Sequence, residues 1–409
     1  MKTKRFRIII IAIIAGIASL AAAVSALLLR GGLTGTNGPD AIPAMAPVRE
    51  ESTAPPPSPP PSVVRLMAVG DNLIHNTLYE QARSRARGAG YDFKFAYDGA
   101  RELLGQADLA VINQETVVAG ALYPPSNYPL FNSPTELGDE VYSLGFRAVS
   151  LSNNHMLDKG ARGAEASLDY WDSKPGVVTS GAYRDEADFL KPRVLEVNGV
   201  TFGFAGATFG YNGLRLPSDT SMIMPLLEEE DRLKAAVETA RQAADVVVVS
   251  VHWGAEYSHQ VSDAQRGLAR KLVSWGADIV LGTHPHVLQS MEWLDKPDGG
   301  QAFVAYSLGN FISAQDYTPR LVGGILDVSV EKDHETGAIT LKEPRLRPVI
   351  TQYGPGFAGV HLVLWEDYTQ EMAQKHGVRR KDSGFSKASV ENLLERVIPE
   401  EFLHPGNQS

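Results

Sequence analysis

Gly282-Thr283-His284-Pro285-His286 sets two histidines one residue apart, directly after the apolar run Ile279 to Leu281. On an extended loop such a pair turns both imidazoles the same way, because side chains there repeat with a period of two. Pro285 fixes φ between them and stiffens the pair. Imidazole suits manganese, iron and zinc, so the stretch is either half of a metal site or a chance pair in a loop. Other polar residues that close apolar runs decide between these. Val63 to Val69 ends at Gly70-Asp71-Asn72, Asp108 to Ile112 at Asn113-Gln114-Glu115, and Phe146 to Leu151 at Ser152-Asn153-Asn154-His155. Val246 to Val251 ends at His252-Trp253-Gly254, and Ala302 to Tyr306 at Ser307-Leu308-Gly309-Asn310.

Asp71, Glu115, Asn154, His252, His284 and His286 form a mixed oxygen and nitrogen ligand set, large enough for one or two divalent ions (manganese, iron or zinc). A pair of ions about 3.5–4 Å apart activates a water and neutralises charge on a phosphoryl group. Glu115 is a candidate bridge between them. His155, beside Asn154, is placed as a general acid or transition-state stabiliser. Asp158 and Glu256 are candidates to orient the ligands, since a metal-bound imidazole needs an acceptor on its other nitrogen. Asn113 is counted with these supporting groups. Asn310 either satisfies a left-handed Gly-Asn turn or touches the site.

The runs that carry these residues read as strands. Between them lie helical patterns at Pro134 to Leu144, Ala161 to Trp171, Leu226 to Ala244 and Asp263 to Trp275. Alternation of the two predicts a layered α/β sandwich with a largely parallel centre. Ligands in such folds bind beyond the carboxyl ends of the strands. Five strand ends bearing these residues are expected on one edge. The acid run Glu228 to Asp231 opens a helix, where it complements the dipole. His259 reads as a surface residue, and Trp253 and Tyr257 as core or cleft lining. No G-x-S-x-G or phosphate-cradling glycine loop occurs, which removes serine-hydrolase and nucleoside-triphosphatase readings.

Apolar residues make up 44% and charged residues 21% of the 409, the balance of an ordinary globular protein. There is no cysteine, which excludes disulfides, thiolate metal sites and a cysteine nucleophile. The formal charge is −10, yet the first thirty residues carry Lys2, Lys4, Arg5, Arg7 and Arg30 with no acid. The remainder is therefore more acidic than the whole, which argues against nucleic acid as a partner. A polyanion would have to be met by a local basic patch or a bound metal.

Residues 1–7 form a basic tail, and residues 8–29 an uncharged apolar stretch of membrane-spanning length. Positive charge before that stretch predicts a cytoplasmic tail and an extracytoplasmic body. A cleaved signal peptide ending near Val24-Ser25-Ala26 is the competing reading; the length of the stretch favours an uncleaved anchor. Residues 30–62, with Pro55 to Pro61 near the end, read as an extended linker that holds the body off the membrane. The body is expected over 63–350 and a C-terminal extension over 351–409. Lys375 to Lys381 is a locally basic loop in that extension, and Val390 to Val397 a short amphipathic helix that docks on the body.

The motifs Gly70-Asp71, Asn113-Gln114-Glu115, Asn153 to Gly160, His252 to Tyr257, Gly282 to His286 and Ser307 to Phe311 resemble those of the capsule-synthesis CapA family, also called PgsA. The resemblance runs from about Val63 to Val328, with the motifs in order. It implies a calcineurin-like metallophosphoesterase fold and a role in poly-γ-glutamate synthesis and export. Membrane subunits of a polyglutamate synthase and the anionic polymer are the partners it implies. The wider phosphoesterase pattern has Asp-x-His at the first strand, whereas Asp71 is followed by Asn72 and Leu73; His75 stands two positions late. Glu115 stands where that pattern has a bridging Asp after Gly. One metal position is thus well provided by the sequence and the other is short of a ligand. Three readings follow: a membrane-anchored component of capsule assembly, a free-standing metal-dependent hydrolase of envelope substrates, or a metal-free structural subunit.

Overall fold

The computed structural model describes residues 60–404. The expected tail, membrane span and most of the linker lie outside the described residues. Among the described residues no helix is long and apolar enough to cross a membrane.

The chain opens with β1 (Ser62–Asn72), α1 (Asn76–Arg85), α2 (Lys94–Leu104), β2 (Leu109–Asn113), α3 (Thr135–Ser143), β3 (Phe146–Ser150), α4 (Gly160–Asp172) and β4 (Val178–Ser180). A second series follows: α5 (Glu186–Phe189), β5 (Arg193–Val197), β6 (Val200–Thr208), α6 (Glu230–Ala243), β7 (Val246–His252), α7 (Asp263–Ser274), β8 (Ile279–Thr283), β9 (Met291–Asp295) and β10 (Gln301–Ala305). It closes with β11 (Asn310–Ile312), β12 (Val322–Lys332), β13 (Ile339–Gly354), β14 (Ala358–Leu364), α8 (Gln370–Lys375) and α9 (Lys387–Val397).

These strands form two mixed sheets, and the five strand ends expected on one edge are divided between them, three in the first sheet and two in the second. The first runs β14-β13-β12-β1-β2-β3-β4, with β11 paired to the end of β1; the second runs β5-β6-β7-β8-β10-β9. Each has a parallel block, β1 to β4 in one and β6-β7-β8-β10 in the other; antiparallel strands extend the first on the β1 side only and the second on both sides. The alternation along β7 explains why two sheets are needed. Val246 and Val248 join Phe202, Phe204, Ile279 and Phe303 in a core shared with the first sheet. Val247, Val249 and Val251 face the other way, onto Leu233 and Val237 of α6 and Leu272 of α7. A strand apolar on both faces must be covered on both. On the first sheet α2, α3 and α4 contribute Tyr97, Val141 and Trp171 to the core.

Most expected helices lie within a residue or two of the observed ones. The exception is α6, expected from Leu226 and begun at Glu230. Leu226 is drawn into a bridge with Thr208, and the Glu229 carboxylate accepts the Leu226 N–H at 3.1 Å, so the helix starts after them. The division expected at 350/351 falls inside β13. Residues 351–364 complete the first sheet through β14, and α9 buries Val390, Leu393, Leu394 and Val397.

Candidate metal centre

The carboxyl ends of β1, β2 and β3 meet those of β7 and β8 at the junction of the two sheets. Asp71 ends β1, is fully buried, and receives Asn113 Nδ2 on Oδ1 at 2.8 Å. Asn113 is held in turn by Asn153 Nδ2 at 3.2 Å. Glu115, also fully buried, has no hydrogen-bond partner on either carboxylate oxygen. Its Oε1 lies 3.6 Å from His252 Nε2 and 3.7 Å from His286 Nε2. Asn154 turns Oδ1 to His252 Nε2 at 3.0 Å, because its amide nitrogen donates to Asn212 Oδ1 at 3.1 Å.

From the second sheet, His252 is set by Thr283 Oγ1, 2.8 Å from its Nδ1. His286 Nδ1 lies 3.0 Å from Asp71 Oδ2 and 3.1 Å from Asn310 Oδ1, two acceptors that require a proton on that nitrogen. Asn310 therefore touches the site; its register against Asp71 in the β1–β11 pair puts it there. The two histidines of the H-x-H are not on extended backbone. His284 has φ 97° and His286 φ 57°, and their rings are inclined at 57° with centroids 6.0 Å apart. Left-handed backbone at non-glycine residues is strained, and here it aims the imidazoles at different parts of the cluster. His284 lies against Phe209, with centroids 4.4 Å apart and the rings tilted by 44°, and its Nδ1 is buried without a partner.

The electrostatics follow from burial and crowding. Burial and then Asp71 raise the Glu115 carboxyl well above the carboxylate range. Burial pulls His286 down, but Glu115 and Asp71 outweigh it and hold the imidazole up at about 9. His284 is pushed down to about 4, by burial and then by His286. His252 is lowered well below an ordinary histidine, by burial and then by His284. Two neutral imidazoles and a buried carboxyl whose two oxygens have no hydrogen-bond partner thus converge. A divalent cation fits such a donor set: it satisfies Glu115, whose burial without partners is otherwise costly. Asp71, Glu115 and His286 offer ligand atoms within 4.8 Å of one another, and so do Glu256, His284 and His286. Glu256, expected as an orienting group, is exposed and offers a carboxylate oxygen within ligand range of His284 and His286. Both sets use His286, whose Nδ1 is committed to Asp71 and Asn310, which leaves Nε2 as its free donor.

His155 and Asp158 form a separate unit beside the cluster. Asp158 Oδ2 lies 2.7 Å from His155 Nδ1 and also accepts the Phe131 N–H at 2.7 Å. Phe131 packs edge-on to His155, with centroids 4.8 Å apart. His155 is therefore held through Nδ1, which leaves Nε2 for proton transfer. The late histidine, His75, packs edge-on to Phe131 with centroids 5.2 Å apart and turns Nδ1 to the Leu73 carbonyl, 3.2 Å away. It belongs to neither ligand group. His259 is half-buried with Nδ1 2.7 Å from the Leu288 carbonyl, not a free surface residue. Thr283 and Asn212 went unread in the sequence; Thr283 directly precedes the H-x-H motif, while nothing local marks Asn212.

The family model of the bacterial capsule synthesis proteins (PGA_cap) matches residues 65–315, more than half of the chain. The capsule biosynthesis protein CapA of Bacillus anthracis is 35% identical over 189 residues, 44% of this chain and 43% of that protein. The PGA biosynthesis protein CapA of Bacillus subtilis (strain 168) is 30% identical over 199 residues, 46% of this chain and 48% of that protein. The chain spans less than half the length of these relatives. A phosphatase from Mycoplasma pneumoniae superposes over 71% of this chain and 94% of its own, with TM-score 0.42 and 13% identity. A likeness at that level bears on neither fold nor chemistry. The matched stretch opens in β1 and closes just past Asn310, so it takes in every ligand of the cluster, and the chain belongs to the bacterial capsule synthesis protein family.

Proposed function

We propose that this chain is an extracytoplasmic, membrane-anchored component of poly-γ-glutamate capsule synthesis and export, whose buried cluster holds one or two divalent ions and meets the anionic polymer. The observation that carries the metal is Glu115, fully buried with both oxygens unpartnered between His252 and His286. Asp71, Asn154, His284 and, at the mouth, Glu256 complete the donor set. Bound there, a divalent ion would act as a Lewis acid toward an oxygen of the ligand. The chain's own contribution is to fix the donors: Thr283 sets His252, Asn113 sets Asp71, and Asn212 sets Asn154. Membrane subunits of the synthase are the proposed partners, and the apolar residues 8–29 the proposed anchor.

A hydrolytic role on an envelope substrate is the second reading, and the His155–Asp158 pair favours it. A histidine anchored through Nδ1 beside a metal cluster is built to give or take a proton at Nε2. Metal content of the full-length protein, measured by mass spectrometry against a His252→Ala, His286→Ala double variant, tests the site. One or two ions per chain, lost in the variant, is the expected result. No ion after incubation with manganese, iron and zinc would sink both metal readings and leave a structural subunit.

A further inference from the structure

Arg320 lies just beyond the stretch shared with the family, in a 3-10 turn over Thr318–Leu321. Its guanidinium carbon is 3.4 Å from the centroid of the Tyr257 ring and 4.6 Å from that of Tyr317. Among the described residues it meets no carboxylate at ion-pair distance and its side chain donates no hydrogen bond; the two ring faces are what hold it. The backbone beneath is fixed. Its carbonyl accepts Asn310 Nδ2 at 2.9 Å, and its N–H donates to the Tyr317 carbonyl at 2.9 Å. Asn310 is the residue whose Oδ1 faces His286, and the Tyr257 ring centroid is 6.1 Å from that of His286. The cation therefore stands one ring away from the ligand cluster.

Two acids beside the turn are already engaged. Asp316 pairs with Lys381, and Asp382 accepts the Thr318 hydroxyl. These contacts, from the segment that follows β14, pin the turn in place. Tyr257 and Tyr317 are 41% and 53% exposed, so the shelf opens to solvent. A guanidinium stacked on aromatic faces keeps its N–H edge available, and that fork matches the two oxygens of a carboxylate. The body is acidic overall, so a polyanion reaching the cluster needs a local unpaired cation.

We propose that Arg320, stacked on Tyr257 and Tyr317, is an oxyanion subsite beside the metal-ligand cluster that takes a side carboxylate of a γ-linked glutamate chain. The choice of a carboxylate rests on the polymer reading above. Full-length protein and its Arg320→Gln and Arg320→Lys variants would be titrated with a short γ-linked oligoglutamate, its methyl ester, and inorganic phosphate. Metal content is measured alongside. Oligoglutamate binding is expected to fall at least tenfold in Arg320→Gln, to recover in part in Arg320→Lys, and to be weak for the ester in every protein, with metal content unchanged. If the parent protein binds phosphate through Arg320 and ignores oligoglutamate, the oxyanion subsite stands while the carboxylate assignment and the polymer reading fall. Equal binding by Arg320→Gln and the parent, no anion bound by the parent, or loss of metal together with binding would each overturn the subsite.

Discussion

At the scale of residues, the cluster is set by groups one hydrogen bond removed from the ligands. Thr283 holds His252 through Nδ1, and supports of this kind are worth about 10–100-fold in metal affinity. Thr283→Val, which keeps the shape and removes the acceptor, is expected to weaken metal binding by about that factor, read by calorimetric titration; an unchanged affinity would mean the contact is incidental. His286 makes a second prediction, in pH. Its imidazole is held at about 9, above the ordinary histidine value near 6.5. The stability this proton brings is complete below about 6.5 and disappears as pH rises through about 9. Thermal melts of metal-free protein should therefore fall across that window, and protein saturated with metal, which displaces the proton, should not follow. A metal-free melt that stays level between those pH values contradicts the assignment. The candidate ligands were legible because each is a polar residue at or just past the end of an apolar run. Asn212 was not, because its bond to Asn154 spans 58 residues and leaves no local pattern.

At the scale of elements, close backbone contact brings β1 to the turn that leads into β11 and Asn310. The Asp71 N–H donates to the Gly309 carbonyl at 2.9 Å, and a Cβ on Gly70 would sit 1.9 Å from that same oxygen. Gly70→Ala must push the two apart. A cost of about 1–3 kcal/mol is expected, as for other overpacked sites, together with reduced metal content. Differential scanning calorimetry and metal analysis check the two effects; a variant as stable and as metal-rich as the parent rules out the steric argument. The strands with continuous β-branched runs, such as β7, were plain in the sequence. The strand β6 was not, because Gly203, Gly206 and the alanines dilute its apolar signal. Those small residues serve packing: a Cβ on Gly206 would sit 2.1 Å from the Ser152 hydroxyl. The left-handed backbone at His284 and His286 was equally hidden, since tertiary contacts impose it against the preference of both residues.

At the scale of the molecule, β13 crosses the expected end of the body, and the residues after it are structural. Val360, Leu362, Leu394 and Phe402 all lie in the main core. A chain ended at Ile350 is expected to be insoluble or to lack a cooperative melt, judged by soluble yield and circular dichroism; a soluble, cooperatively melting product would show the extension to be dispensable. The sequence could not reveal this, because nothing within a strand announces which neighbour it will pair with. The meeting of two sheets at one site has a further consequence. Asp71, Glu115 and Asn154, all oxygen donors, come from the first sheet; His252, His284 and His286, all nitrogen donors, come from the second. Each sheet thus weaves only half a trap, hard on one side and softer on the other. On the metal reading proposed above, an ion would be retained only once both halves have closed over their common core, and loading would double as an inspection of the finished fold.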